Sequence, residues 1–191
     1  MAIRSFLAFE VPLDMKKDIT GVLEDIRRPK MNVRWVNVDN IHLTVVFIGN
    51  IREEDLPEIR AAVDAVSSKY GPFDISLKGL GIFPNARRPR VMWIGLDGDI
   101  ERISNLRDDL QISLEAFGLK KEKRTFKPHL TIGRFRKPGR GDSPSEDILA
   151  RYTEFRGSGS DLDELILFKS ELRPGGAVYT KLGSWRLSGD R

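Results

Sequence analysis

The amino-acid sequence predicts an α+β fold with two pseudo-symmetric lobes, each a mainly antiparallel sheet with helices on the outside and an active-site cleft between the lobes. Two observations favour this class. Strand-like and helix-like segments are interleaved along the chain, and some successive strands are joined by short turns, which is typical of antiparallel pairing. In addition, the tripeptide His-Leu-Thr occurs once in each half of the 191 residues.

The first half is predicted to contain five elements: a strand at 5–11, a helix at 14–28, strands at 33–38 and 41–49, and a helix at 53–70. The first helix is indicated by apolar residues at helical spacing, namely Met15, Ile19, Val22, Leu23 and Ile26. Gly49 and Asn50 are expected to end the strand at 41–49. The second helix begins with acidic residues, which favour a helix N-terminus.

The second half repeats this alternation. It is predicted to contain strands at 73–83 and 90–96, a helix at 100–119 ended by Gly118, a strand at 129–135, a short helix from Ser143 and Pro144 to near Tyr152, and a hairpin of 163–172 and 177–187 around a turn at 174–176. No long linker or low-complexity segment interrupts the chain. We therefore expect residues 1–191 to form a single two-lobed domain.

The composition is that of a soluble globular protein, with 40% hydrophobic and 31% charged residues. No apolar run approaches the roughly 20 residues of a membrane helix, and the first ten residues do not resemble a secretory signal. The sequence has no cysteine, which excludes disulfides, thiolate nucleophiles and zinc–thiolate sites. We expect a cytoplasmic protein that contacts no membrane.

Positive charge is concentrated in two places. The net charge is only +4, but NARRPR at 85–90 and LKKEKRTFK at 119–127 are strongly basic, and the second stretch leads into His129. Such stretches either bind phosphate groups or serve as solvated loops.

The only two histidines, His42 and His129, each precede a threonine by two residues, Thr44 and Thr131. Residues i and i+2 of a strand share a face and lie about 7 Å apart. Each histidine therefore points the same way as its threonine, while the intervening leucine points to a core. If both strands face one cleft, two imidazoles and two hydroxyls converge there.

Such a set can cleave or transfer a phosphodiester without a metal. One imidazole removes a proton from the attacking oxygen and the other protonates the leaving oxygen. Threonine hydroxyls donate hydrogen bonds to the non-bridging oxygens as their charge grows. The acidic runs at 53–55, 108–110 and 161–164 lack a metal-binding spacing and are interpreted as helix starts or solvated carboxylates, so neither a metal nor a cofactor is predicted.

The sequence resembles the two-histidine (2H) phosphoesterases, and within them the bacterial and archaeal RNA 2′,3′-cyclic phosphodiesterases, also called 2′-5′ RNA ligases. The resemblance extends over nearly the whole chain, through RSFLAFEVP, HLTVVFIG, GIFPNARRPRVMWIGL, FKPHLTIGR and LILFKSELRPGGAVY. Val45 and Ile48 replace the leucines common after the first motif, and Ile132-Gly133 stands where Leu-Ala is frequent.

This resemblance implies hydrolysis of a 2′,3′-cyclic phosphate at an RNA end to a 2′-phosphate, and in some members 2′-5′ ligation to a 5′-hydroxyl. It implies that His42 is the proton donor, that His129 is the proton acceptor, and that Thr44, Thr131 and Arg134 bind the phosphate. We expect no cofactor and infer no obligatory protein partner from the sequence. Strict alternation places Arg134 on the face opposite His129, so we expect a bulge or strong twist near Gly133.

Three functions remain open from the residues. The first is a metal-independent phosphodiesterase acting on RNA ends. The second is a related enzyme acting on a small cyclic nucleotide or ADP-ribose cyclic phosphate. The third is an RNA-end binding module without turnover, against which the complete His-x-Thr pairs argue. Phe9 and Phe126 are either base contacts or core residues.

Overall fold

The fold is that of a computed structural model, which describes residues 2–27, 31–122, 125–136, 146–174 and 176–190. Its elements are β1 (Ala2–Glu10), α1 (Leu13–Ile26), β2 (Val33–Trp35), β3 (His42–Arg52), α2 (Leu56–Ser67), β4 (Phe73–Phe83), β5 (Val91–Gly98), α3 (Ile100–Leu114), β6 (His129–Phe135), α4 (Glu146–Thr153), β7 (Arg156–Leu162), β8 (Glu164–Arg173) and β9 (Gly176–Arg186). Short 3₁₀ turns occur at Val38–Asn40, Glu53–Asp55 and Glu115–Phe117. No helix in these ranges is long and apolar enough to cross a membrane.

The strands form one antiparallel sheet in the order β7-β4-β5-β6-β3-β1-β8-β9, and β2 pairs with the end of β6. The first lobe consists of β3, β1, β8 and β9, and the second of β7, β4, β5 and β6. The lobes join between β3 and β6 through the single pair Leu43–Leu130. The predicted α+β class with two mainly antiparallel lobes is confirmed.

Neither lobe is a continuous piece of chain. Strand β4 follows the helix after β3, yet it pairs with β5 and β7 in the second lobe. Strand β8 comes near the end of the chain, yet it pairs with β1 in the first lobe. Each lobe is therefore completed by strands from both halves of the sequence.

The helices cover the outer face of this sheet. Helices α2 and α3 pack on each other and over β9 and β3, whereas α1 packs over β7 and α4 over β4. All five apolar residues predicted for the buried face of α1 are buried. One core cluster contains residues from all four helices together with Leu43 and Leu130 of the sheet. The predicted placement of helices on the outside is confirmed.

Some predicted boundaries were wrong. Strand β3 continues past Gly49 to Arg52, because Gly49 adopts a positive φ of 90° at an irregularity within the strand. Strand β2 ends at Trp35, and the segment after it forms a 3₁₀ turn in which Asn37 accepts a hydrogen bond from the Asp39 amide. Strand β7 was not predicted, since its sequence RGSGSDL has few β-formers. Ser143 and Pro144 lie outside the described residues.

Candidate active site

The two His-Leu-Thr motifs meet at the junction of the lobes. Leu43 and Leu130 are paired and each is 1% exposed, so both point into the core. The two histidines and two threonines are half-buried on the opposite face. Extending this register sets each histidine beside the threonine of the other motif and makes the histidines diagonal neighbours, with Cα atoms about 7–8 Å apart in a regular ladder. The pair Leu43–Leu130 thus sets the two motifs side by side, with their histidines and threonines on the face opposite the core.

Both imidazoles are held in the same orientation by their own backbone. Nδ1 of His42 donates to the carbonyl of Asn40 at 2.8 Å, and Nδ1 of His129 donates to the carbonyl of Lys127 at 2.7 Å. A neutral imidazole with a proton on Nδ1 has its lone pair on Nε2. In each motif Nε2 is therefore the atom available to accept a proton or, once protonated, to donate one.

The environment lowers the pKa of both histidines below the ordinary value of 6.5. Burial is the largest cause, because it disfavours the charged imidazolium. The hydrogen bond to the backbone carbonyl opposes this effect, while the positive charge of Arg134 lowers the pKa of both rings further. Each imidazole is thus a weaker base than a free histidine.

A β-bulge follows each motif at the same place. In β3, Thr44 pairs with Ala8 and Val46 with Leu7, so Val45 is the extra residue. In β6, Thr131 pairs with Trp93 and Gly133 with Met92, so Ile132 is the extra residue. The extra residue shifts the alternation of side chains by one. The third residue after each threonine is consequently exposed, Phe47 in one strand and Arg134 in the other.

The bulge that we expected before Arg134 is present in β6. The extra residue is Ile132, one position before the predicted Gly133. Gly133 itself is buried, and a Cβ there would lie 2.7 Å from Cγ1 of Val33 on β2. Arg134 is exposed, and its charge acts on both imidazoles. The arrangement allows its guanidinium to contact an anion bound between the histidines.

Aromatic side chains stand around each imidazole. The ring of His42 lies 4.9 Å from Phe6, 5.1 Å from Tyr179 and 6.3 Å from Phe168, measured between centroids. Phe6 and Phe168 belong to a second apolar cluster, apart from the main core. The ring of His129 lies 5.0 Å from Phe83 and 6.4 Å from Trp93. These rings explain the burial that lowers both pKa values.

The β8–β9 hairpin lies over the His42 side of the cleft. Tyr179 comes from β9, three strands away from β3 in the sheet order, so the first lobe must be strongly curled. A pocket of about 130 Å³ opens here and is lined by Glu10, Asp39, Asn40, Ile41, His42, Phe168, Tyr179 and Lys181. Further along β9, a Cβ on Gly176 would lie 3.0 Å from a guanidinium nitrogen of Arg34 on β2. The hairpin therefore reaches from the first lobe to the edge of the second.

These aromatic neighbours were missed from the sequence. Phe9, one of the two aromatic residues considered as base contacts, is a core residue at 1% exposure. Phe126 packs against the main core, beneath the guanidinium of Arg107. The sequence places Tyr179 in a strand of the terminal hairpin, but it does not indicate that this residue lies near His42. Only the curvature of the sheet brings the two side chains together.

No group of three or more His, Asp or Glu side chains in the described ranges is placed to hold a metal ion. Several acidic residues of the runs noted in the sequence are engaged elsewhere. Asp55 is bonded to Arg52, Asp108 to Arg107, and Asp109 accepts a hydrogen bond from Tyr70.

Comparison with known proteins identifies the relatives of this architecture. The family model of LigT-like phosphoesterases matches residues 10–93 and again 94–179. The chain is 31% identical to an RNA 2′,3′-cyclic phosphodiesterase of Methanothermobacter thermautotrophicus, over 98% of this chain and 100% of that one. It is 30% identical to a protein of the same name from Aquifex aeolicus, over 98% of both chains. A solved structure from Thermus thermophilus superposes with a TM-score of 0.83 and 28% identity, covering 99% of this chain and 100% of that one. With both halves matched by the family and the paired motifs at the junction of its lobes, the chain belongs to the LigT-like phosphoesterases of the two-histidine superfamily.

Proposed function

We propose that this protein hydrolyses 2′,3′-cyclic phosphate ends of RNA to 2′-phosphomonoesters, using its two histidines as acid and base and no metal. The observation that carries the proposal is the pairing of the two motifs at Leu43–Leu130, which puts His42 and His129 on the same face of neighbouring strands, each with Nε2 available for proton transfer. The curated relatives that share the fold and the full length of the chain bear the corresponding name.

The proton transfers follow from in-line displacement at phosphorus. His129 removes a proton from water as the water oxygen bonds to phosphorus, and protonated His42 gives its proton to O3′ as the P–O3′ bond breaks. The hydroxyls of Thr44 and Thr131 donate to the non-bridging oxygens, and Arg134 neutralises their charge. The phosphate stays on O2′. A 5′-hydroxyl in place of water would give a 2′-5′ bond by the same transfers.

The in-line geometry also assigns a side of the cleft to the nucleoside. O3′ is the leaving atom and remains part of the ribose, so the ribose lies on the side of the proton donor. If that donor is His42, the terminal nucleoside lies against the first lobe, near Tyr179 and the cluster of Phe6 and Phe168. Water then reaches phosphorus from the side of His129.

A small cyclic nucleotide or ADP-ribose cyclic phosphate would satisfy the same chemistry. RNA is favoured because the curated relatives that match nearly the full length of the chain are named RNA 2′,3′-cyclic phosphodiesterases. A purely binding protein is disfavoured, because two identically oriented imidazoles are superfluous for binding.

We further propose that residues 1–191 work as one domain, since the site takes one motif from each lobe. We also propose that the cysteine-free chain acts in the cytoplasm.

The direct test is incubation of an RNA oligonucleotide ending in a 2′,3′-cyclic phosphate in the presence of EDTA, followed by mapping of the product's phosphate. We expect a 2′-phosphomonoester at an undiminished rate. The variant with both His42→Ala and His129→Ala, purified in parallel, controls for contaminating nucleases. A 3′-phosphate product, or activity that EDTA abolishes and a divalent ion restores, would contradict the proposal.

A further inference from the structure

Six exposed arginines lie on three neighbouring segments around the end of β6. We call this set the arginine cluster, and its members are Arg34, Arg87, Arg88, Arg90, Arg134 and Arg136. They come from three segments that are distant in sequence: strand β2, the loop between β4 and β5, and the end of β6. Only one of the two basic stretches seen in the sequence, NARRPR, contributes to it.

Backbone pairing fixes these segments side by side. Arg34 of β2 is directly paired with Arg134 of β6, so their side chains share a face. On the other side of β6, Val91 pairs with Arg134, and the Phe135 amide donates to the Arg90 carbonyl at 3.0 Å. The Arg136 amide donates to Asn32 at 2.9 Å. The cluster thus rests on a rigid ladder that begins at the active site.

The charge of this cluster is not neutralised. Within the described ranges none of its six guanidinium groups forms an ion pair. Elsewhere most arginines do, and those paired with carboxylates are Arg52, Arg102, Arg107, Arg151, Arg156, Arg173 and Arg186. Like charges directly opposite each other destabilise a sheet. An anionic ligand that lies between Arg34 and Arg134 would remove that repulsion.

A single phosphate group is too small to contact all six arginines of the cluster. The cluster extends from Arg134, whose charge acts on both imidazoles, to the loop between β4 and β5, and a nucleic-acid strand carries a phosphate on each nucleotide that could contact successive arginines. Arg34 also lies next to Gly176 of the hairpin whose Tyr179 contacts His42. A nucleoside held near Tyr179 would therefore lie against the same hairpin that reaches Arg34.

We infer that the arginine cluster binds the phosphodiester backbone of the nucleotides preceding the cyclic phosphate, so that the RNA strand leaves the cleft over β2 and the β4–β5 loop. This inference rests on the proposed function and adds to it a direction for the strand and a preference for oligonucleotides. Arg34 is the central residue, since it is paired with Arg134 and lies next to Gly176 of the β8–β9 hairpin.

The test compares two substrates in the full-length protein: an oligonucleotide with a 2′,3′-cyclic phosphate end and a mononucleoside 2′,3′-cyclic phosphate. In Arg34→Gln, the ratio of kcat/KM for the oligonucleotide to that for the mononucleotide should fall about 10-fold, the effect of one charge-assisted contact. The matched control is Arg4→Gln. Arg4 is also exposed and without an ion pair in the described ranges, but it pairs with Asn50, far along β3 from His42.

A second measurement does not depend on turnover. Binding of a labelled oligonucleotide with a 2′-phosphate end is followed by fluorescence anisotropy at increasing salt, and each arginine removed should reduce the slope of log K against log salt by about 0.7. Equal losses on both substrates, unchanged salt slopes, or an equal effect of Arg4→Gln would overturn the inference while leaving the proposed function intact. A wild-type protein that turned over neither substrate would refute the proposed function, and the anisotropy series would still decide the inference.

Discussion

His42 and His129 are locally equivalent, each with Nδ1 bonded to the carbonyl two residues earlier. Neither the hydrogen bonds nor the pKa shifts separate an acid from a base. The difference between the acid and the base must therefore come from the substrate and from the third residue after each threonine. That residue is Phe47 in the His42 strand and Arg134 in the His129 strand. The assignment of His42 as donor therefore stays a prediction that kinetics can decide.

A substrate with a very good leaving group separates the two roles. Each single change, His42→Ala or His129→Ala, should lower kcat/KM for a cyclic phosphate by about 100-fold or more. With an aryl phosphodiester, whose leaving group hardly needs a proton, His42→Ala should regain much of its loss and His129→Ala should not. Recovery in His129→Ala instead would show that the roles are reversed.

The pH dependence follows from the lowered pKa of both imidazoles. The acid must be protonated, and a lowered pKa means that this form is lost at lower pH than in a free histidine. The bell-shaped profile of kcat/KM should therefore begin its high-pH decline below about pH 6.5, the ordinary histidine value. A decline centred above about pH 7.5 would contradict the burial of these rings.

Arg134→Gln provides a sharper version of this test. Its guanidinium lowers the pKa of both histidines, so its removal should raise both apparent pKa values and move the whole profile to higher pH. A matched profile of Arg4→Gln should coincide with that of the wild type. If Arg134→Gln lowered kcat/KM without moving either limb, its charge would not act on the imidazoles.

At the scale of elements, the sequence was most informative where periodicity is local. The buried face of α1 was predicted residue by residue, because helical spacing repeats within 14 residues of chain. Strand β7 was not predicted, because its Gly and Ser residues form a strand only by pairing with β4. That pairing is a long-range contact that no local pattern encodes.

In the candidate site, too, local patterns could be predicted and long-range contacts could not. Alternation within a strand placed each histidine with its threonine, and it also showed that Arg134 needed a bulge. The register Leu43–Leu130 and the pairing of Arg34 with Arg134 could not be predicted, because they depend on which strands become neighbours. Tyr179 was missed for a related reason, since curvature of the whole first lobe brings β9 to His42.

Gly81 tests how tightly the side chains pack beside His129. A Cβ at Gly81 in β4 would clash with Cζ2 of Trp93, whose ring adjoins His129. Gly81→Ala should therefore cost about 1–3 kcal/mol of unfolding free energy and reduce activity by displacing the indole.

Gly21→Ala is the control for that substitution. Gly21 is exposed in α1, and a Cβ there would meet no atom within 4 Å. Because alanine is the better helix former, this variant should gain about 0.5–1 kcal/mol and keep full activity. Urea denaturation of both variants measures the two effects, and equal stabilities would contradict the packing described.

At the scale of the whole molecule, we expect the two lobes to unfold together. The three tryptophans allow each lobe to be observed separately, since Trp185 lies in β9 of the first lobe, Trp93 in β5 of the second, and Trp35 in β2 beside it. Trp185→Phe reports the second lobe, and the double variant Trp35→Phe with Trp93→Phe reports the first. Their urea transitions should coincide with each other and with circular dichroism. Two separated midpoints would mean that the lobes are independent domains.

The exchange of β4 and β8 between the lobes gives the chain the internal arrangement of a strand-swapped dimer. A chain divided within the loop from 84 to 90 would yield one fragment in which β4 has lost both its neighbours and another in which β8 has lost β1. Neither fragment could close its own sheet, and each would present unpaired strand edges. Mixed together, the two polypeptides should complement each other and restore activity, with a yield that depends on the concentration of both.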